Sequence, residues 1–185
     1  MRASHPNLLA ASRAMVDMRD ALVRQWADWL GERISAARHI PRPTVERELR
    51  LLIDVLNETV GPMRREVREV WSHVCEHYGR VAAARGLSAG EVVEEIQVLR
   101  DVLTRLLAPV LISMRPRQAM AIILRLNGVL DKGIAVSVVG YTDTLVATLF
   151  SQNGVPSSEM DLDHTDIERQ LDGLEAELAA VVKHR

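Results

Sequence analysis

Apolar residues recur at helical spacing along almost the whole chain. Between Asn7 and Ala37, Met15, Met18, Leu22, Trp26, Trp29 and Ile34 follow at intervals of three, four or five, on one face of a long helix. Pro41 and Pro43 interrupt it. Thr44 is suited to cap a second helix, with Val45, Leu49, Leu52, Leu56 and Val60 inward and Gly61-Pro62 at its end. A third helix, from about Pro62, carries Met63, Val67, Val70, Trp71, Val74, Tyr78 and Val81, and Gly86 stands where a left-handed cap would close it.

Ser88-Ala89-Gly90-Glu91 has the form of a capping box, flanked by Leu87 and Val92 as a hydrophobic staple. The fourth helix it starts buries Val92, Ile96, Leu99, Leu103, Leu106 and Val110, and Pro109 is expected to kink or end it. Pro116 opens a fifth helix of about 35 residues, with Ile123, Leu126, Leu130, Ile134, Val138, Tyr141, Leu145 and Leu149 on one stripe. Val136–Val139 is β-branched, but its flanks keep helical spacing and no second strand is available to pair with it.

Ser151–Ser158, with Gly154 and Pro156, reads as a linker. Beyond it Ile167, Leu171, Leu174, Leu178 and Val181 form a heptad seam of about two and a half repeats, too short to stand alone. It must pack on the bundle or pair with the same seam of a second copy. The pattern therefore predicts an all-α protein: a bundle of about five helices over residues 1–150, a linker over 151–160 and an amphipathic coil over 161–185.

Composition narrows the function. With 185 residues, 48% of them hydrophobic, the chain suits one compact domain. Twenty-three basic residues against 25 acidic leave a net charge of −2, which gives no basic field for nucleic acid. All the basic residues except Lys132 and Lys183 are arginines, and the few aromatics are too scattered for a base-stacking platform. One cysteine, Cys75, and an amino terminus without a secretory pattern point to the cytoplasm. The apolar region 119–150 is broken by Arg125, Asp131, Lys132 and Asp143, so no membrane span is expected.

The strongest candidate for metal or cofactor chemistry is Trp71-Ser72-His73-Val74-Cys75-Glu76-His77, because His73 and His77 share a helical face and either is a weak candidate axial ligand of haem. Cys75 lies about 200° around the helix from His73, and four-coordinate zinc lacks its further ligands. The plainer reading makes these residues the outer, polar face of an amphipathic helix. Glu94-Glu95, Glu66-Glu69 and Asp161-Asp163 read likewise as solvated carboxylates, with no nucleophile, glycine-rich loop or orienting histidine beside them. No catalytic site and no metal site is expected.

Tyr78, Arg80, Ala83, Arg85-Gly86-Leu87-Ser88, Val92-Val93-Glu94-Glu95, Leu99-Arg100 and Leu103 resemble the amino-terminal sensory domain of RsbR- and RsbRD-type stressosome co-antagonist proteins, over roughly Ala21 to Phe150. The resemblance implies a globin-like helical domain that holds no haem, forms a homodimer and sends its last long helix toward an output module. That module, a STAS or kinase domain in the family, does not follow Val182 in this sequence, so output through a separate partner and output through a longer chain both stay open. The function expected is a non-enzymatic regulatory or sensory module in a signalling complex, without cofactor, the alternative being a haem- or metal-binding sensor using His73 or His77.

Overall fold

A computed structural model describes residues 5–33, 40–61, 65–152 and 164–183. Six helices make it up: α1 (His5–Arg33), α2 (Arg42–Val60), α3 (Arg68–Ala84), α4 (Ala89–Ile112), α5 (Pro116–Gln152) and α6 (His164–Lys183). Among the described residues there is no strand, and the protein is an all-α helical bundle. The linker expected over 151–160 falls outside them, except that Ser151 and Gln152 still belong to α5.

Local chemistry sets several boundaries. The Ser88 amide donates to Glu91 Oε2 at 2.7 Å and the Glu91 amide to Ser88 Oγ at 3.3 Å, the reciprocal box expected from sequence. Before it, Gly86 takes φ 82°, its amide donating to the Ala83 carbonyl while that of Leu87 donates to Ala82. This paired closure leaves the helix end satisfied and turns the chain into α4.

Three boundary expectations are corrected. Pro43 takes a first-turn position that wastes no amide, so α2 starts at Arg42 with Pro41 as its N-cap, and Thr44 is a buried residue inside the first turn. The third helix begins at Arg68, after a turn at 65–67, rather than near Pro62. Pro109 does not end α4, which runs on to Ile112 with the proline on its exposed side.

The core lies between α1, α2, α3 and α4, with α5 closing it. The α2 stripe is buried as expected, as are Val70, Trp71, Val74, Tyr78 and Val81 of α3, while Ile34 and Met63 fall outside the described residues. On α4 the inner face continues through Leu107 and Leu111 rather than Leu106 and Val110, which are half-buried, because steps of four from Leu103 stay on the core side.

The larger correction is α5. Its inner face is Ile122, Leu126, Val129 and Leu130, followed by Gly133, Ser137 and Gly140, whereas Leu145 and Leu149 are exposed. Here α3 and α5 cross almost backbone to backbone. A Cβ on Gly79 would lie 1.9 Å from the Ser137 carbonyl oxygen, and one on Gly140 2.3 Å from that of Glu76. Ser137 Oγ donates to the Cys75 carbonyl at 2.9 Å and Trp71 Nε1 to that of Val129 at 3.1 Å, which pins the crossing. A search for large apolar residues passes over a stripe of small ones.

From Tyr141 to Phe150 no residue of α5 is buried, and Val139, Leu145, Val146, Leu149 and Phe150 are exposed. The charges noted in the sequence interrupt α5 without removing its apolar character. Over Pro116–Phe150 it remains long and apolar enough to cross a membrane by length and composition, with mean hydropathy 1.5 in its best window.

Candidate functional site

The faces that α2, α3 and α4 turn to each other carry a cluster of buried polar side chains. Glu48 comes from α2, His77 and Tyr78 from α3, Arg85 from its C-cap and Glu95 from α4, and none is more than 3% exposed. Each stands at helical spacing from an apolar stripe residue: Glu48 three after Val45, Glu95 three after Val92 and Arg85 four after Val81. Their positions on the helices commit them to the interior.

Glu95 is well supplied with donors. The Tyr78 hydroxyl donates to its Oε2, and Arg85 Nη2 donates to Oε1 at 3.2 Å. The Tyr78 ring lies 5.8 Å from that of Trp26 on α1, which fixes the phenol. Burial pushes the phenol well above its ordinary range, and the Glu95 charge adds to this. Burial works against the Arg85 charge, but Glu95, Tyr78 and Glu48 together raise it, so it stays cationic.

Glu48 has no such support. Its Oε1 has no hydrogen-bond partner, and the nearest cationic candidate, His77 Nε2, is 3.7 Å away. Burial pushes Glu48 up to about 8, Arg85 tempering and Glu95 reinforcing the shift. Burial lowers His77 to about 4, against the hydrogen bond that it donates to Gln170 and with the charge of Arg80. Both groups are uncharged near neutrality, so their approach is no ion pair. Arg85 can compensate one buried carboxylate, and Glu95 holds that place.

Helix α6 covers this cluster on the α3 side. Gln170 Oε1 lies 3.0 Å from His77 Nδ1, so Nδ1 carries the proton and Nε2 turns its lone pair toward Glu48. His73 Nδ1 lies 3.0 Å from Glu177 Oε1. Arg47 of α2 donates to Glu168 at 2.6 Å, Asp172 at 2.5 Å and Glu175 at 2.8 Å, and the Thr44 hydroxyl donates to Glu168 at 2.7 Å. Ile167 and Leu171 are buried in the bundle, while Leu174, Leu178 and Val181 pack half-buried against it. A groove of about 310 Å³ remains between α3 and α6, lined by His73, Glu76, His77, Arg80, Gln170 and Leu174.

The sequence-level candidates divide on this geometry. His73 is exposed, but His77 and Cys75 are buried, so the segment is not a uniformly polar outer face. The reason is the crowding of α3, which has α2, α5 and α6 packed around it. Burial pushes the Cys75 thiol up, away from reactive thiolate. Glu95 likewise leaves the solvated set, while Glu66 and Glu69 are exposed as expected and Asp161 and Asp163 fall outside the described residues. No group of three or more His, Cys, Asp or Glu that could hold a metal ion occurs among the described residues.

Glu48 and Arg85 were not singled out as functional from sequence. The signal that finds them is a charged residue at stripe spacing. Comparison with family models gives a match to the RsbT co-antagonist protein RsbRD N-terminal domain over residues 17–152. The chain belongs to this family. The RsbRD N-terminal domain takes in most of α1 and all of α2 to α5, and α6 lies beyond the match. Neither a curated protein nor a solved structure gives a match. Membership makes the chain a regulatory protein of the stressosome type, from a family whose members act in signalling complexes.

Proposed function

We propose that this RsbRD-type domain is a non-enzymatic sensory module of bacterial stress signalling. It works in the cytoplasm as a homodimer and passes its input to a protein partner through its carboxy-terminal helices. The family match across the bundle carries this reading, and the family's name makes RsbT, or the complex in which RsbT is antagonised, the first partner to test.

The exposed apolar face of distal α5 supports the dimer. Val146 follows Val139 by seven, and Leu149 and Phe150 follow Val146 by three and four, so all four lie on one side of that helix, more than isolated surface residues require. The seam Ile167, Leu171, Leu174, Leu178 and Val181 is the second candidate interface, available only if α6 leaves the bundle. Arg100 paired with Asp131, and the close crossing at Gly133, Ser137 and Gly140, tie α5 into the bundle and favour a soluble helix over a membrane span.

Light scattering on Leu149→Glu with Phe150→Glu, beside Leu171→Glu with Leu174→Glu, tests the reading. A dimer lost in the first pair places the interface on α5. One lost only in the second places it on the seam, and a chain monomeric throughout at high concentration contradicts the dimer.

A further inference from the structure

The contacts of α6 are unusual for a helix that completes a core. Only Ile167 and Leu171 are fully buried, Leu174, Leu178 and Val181 pack half-buried, and the remaining contacts are polar: Glu168, Asp172 and Glu175 on Arg47, Glu177 on His73, and Gln170 on His77. Pairs of this kind are individually weak at a half-exposed surface, so α6 is the helix most readily released. One of these contacts, Gln170 to His77, reaches a side chain that faces the unsupported carboxyl of Glu48.

We propose that α6 is a proton-gated latch, which stays on the bundle while the buried Glu48–His77 pair is uncharged and lifts from α3 when Glu48 gives its proton to solvent. The argument rests on the hydrogen-bond pattern. In the docked state His77 Nδ1–H donates to Gln170 Oε1 at 3.0 Å, while its Nε2 lone pair lies 3.7 Å from Glu48 Oε1, too far for a hydrogen bond, so that neither of these two buried atoms has a partner. After proton loss a carboxylate faces that lone pair. Relief requires moving the imidazole proton to Nε2 and turning the Gln170 amide so that it donates to Nδ1, which rearranges the α6 contact, or admitting water to Glu48.

The groove beneath α6 is the nearby opening, and His77 lines it. A buried carboxylate without donors costs enough for solvation to compete with the few contacts that hold α6.

The surrounding charges do not relieve it. Arg85 is taken by Glu95, and Tyr78 also donates to Glu95. Arg80 raises the cost of a charged His77. On α6, Glu168, Asp172 and Glu175 are engaged on Arg47, Glu177 on His73 and Asp166 on Arg169, and on α1 Asp20 and Asp28 lie against Arg50 and Arg42 elsewhere on α2. On α5, Lys132 acts on Cys75. Release of α6 would uncover Ile167 and Leu171 and so connect an alkaline input to the proposed output. This inference deepens the proposed function and rests on its assignment of output to the carboxy-terminal helices.

Hydrogen-exchange mass spectrometry of the full chain, corrected for intrinsic exchange, tests the latch. Protection of residues 165–183 is compared with that of α4 at about pH 6 and about pH 8. Linkage through the two docked groups predicts that α6 protection falls about tenfold over this range and stays below that of α4, which opens only with the whole bundle, and that Glu48→Gln shows no fall. Protection of α6 that is flat in the wild type, or that falls equally in Glu48→Gln, overturns the proposal.

Should Glu48→Gln not fold, carbon-13 NMR of the wild-type Glu48 carboxyl decides. A carboxyl still protonated at about pH 6 supports the latch, and one already ionised there overturns it. The carboxyl readout does not depend on dimer or partner. A chain that latches but never dimerises sinks the proposed function alone, and a flat response in an intact dimer sinks the latch alone.

Discussion

Glu95 and Glu48 are both buried carboxyl groups, and their difference in partners sets what each contributes. Removing the Tyr78 hydroxyl by Tyr78→Phe leaves Glu95 with one donor fewer in the interior. The expected loss is about 1–3 kcal/mol, read as a lower urea midpoint at unchanged slope. Glu48 titrates at about 8 in the folded chain against 4.5 ordinarily, so the native state holds a proton the unfolded chain has lost, and stability falls as pH rises between those values. His77 titrates at about 4 against 6.5, so its contribution falls as pH drops through that interval. The two slopes offset each other between 4.5 and 6.5. Urea denaturation across pH is expected to show a plateau there and a decline toward pH 8 that Glu48→Gln removes.

These residues were the least legible part of the sequence. Glu95 and His77 read as solvent-facing because charge usually marks the surface, yet both occupy stripe positions, as do Glu48 and Arg85. Their spacing fits the interior, but residue type argued against that placement.

Among the elements, the turn between α3 and α4 was fully legible, because its chemistry is local. Gly86 and the Ser88–Glu91 box satisfy backbone groups within a few residues of themselves. Ser88→Ala is expected to cost about 1 kcal/mol, measured by thermal or urea unfolding. The inner face of α5 was not legible, because what selects Gly133, Ser137 and Gly140 is the approach of another helix. Gly79→Ala tests that crossing. Its Cβ would meet the Ser137 carbonyl at 1.9 Å, and backbone cannot rotate away as a side-chain end can, so a loss of about 3 kcal/mol or more is expected in the urea midpoint. An unchanged midpoint would mean that α3 and α5 lie farther apart than described.

At the scale of the molecule, the six-helix, all-α architecture followed from periodicity, and the family from the Arg85–Ser88 turn with its flanking residues. The docking of α6 did not follow, since a heptad seam is equally satisfied by a bundle or by its own copy. Arg47, on which three α6 carboxylates converge, offers a test of this level. Arg47→Ala is expected to loosen α6 by about 1 kcal/mol, the scale of a half-exposed network, and to speed proteolysis within 165–183 while α4 stays protected.

The central claim is that the chain is a cofactor-free regulatory module that works as a homodimer, and native mass spectrometry of the purified full-length protein tests it most directly. The account predicts the mass of two chains with nothing added. A monomer at all concentrations, or a species carrying haem or a metal that His77→Ala removes, would contradict it.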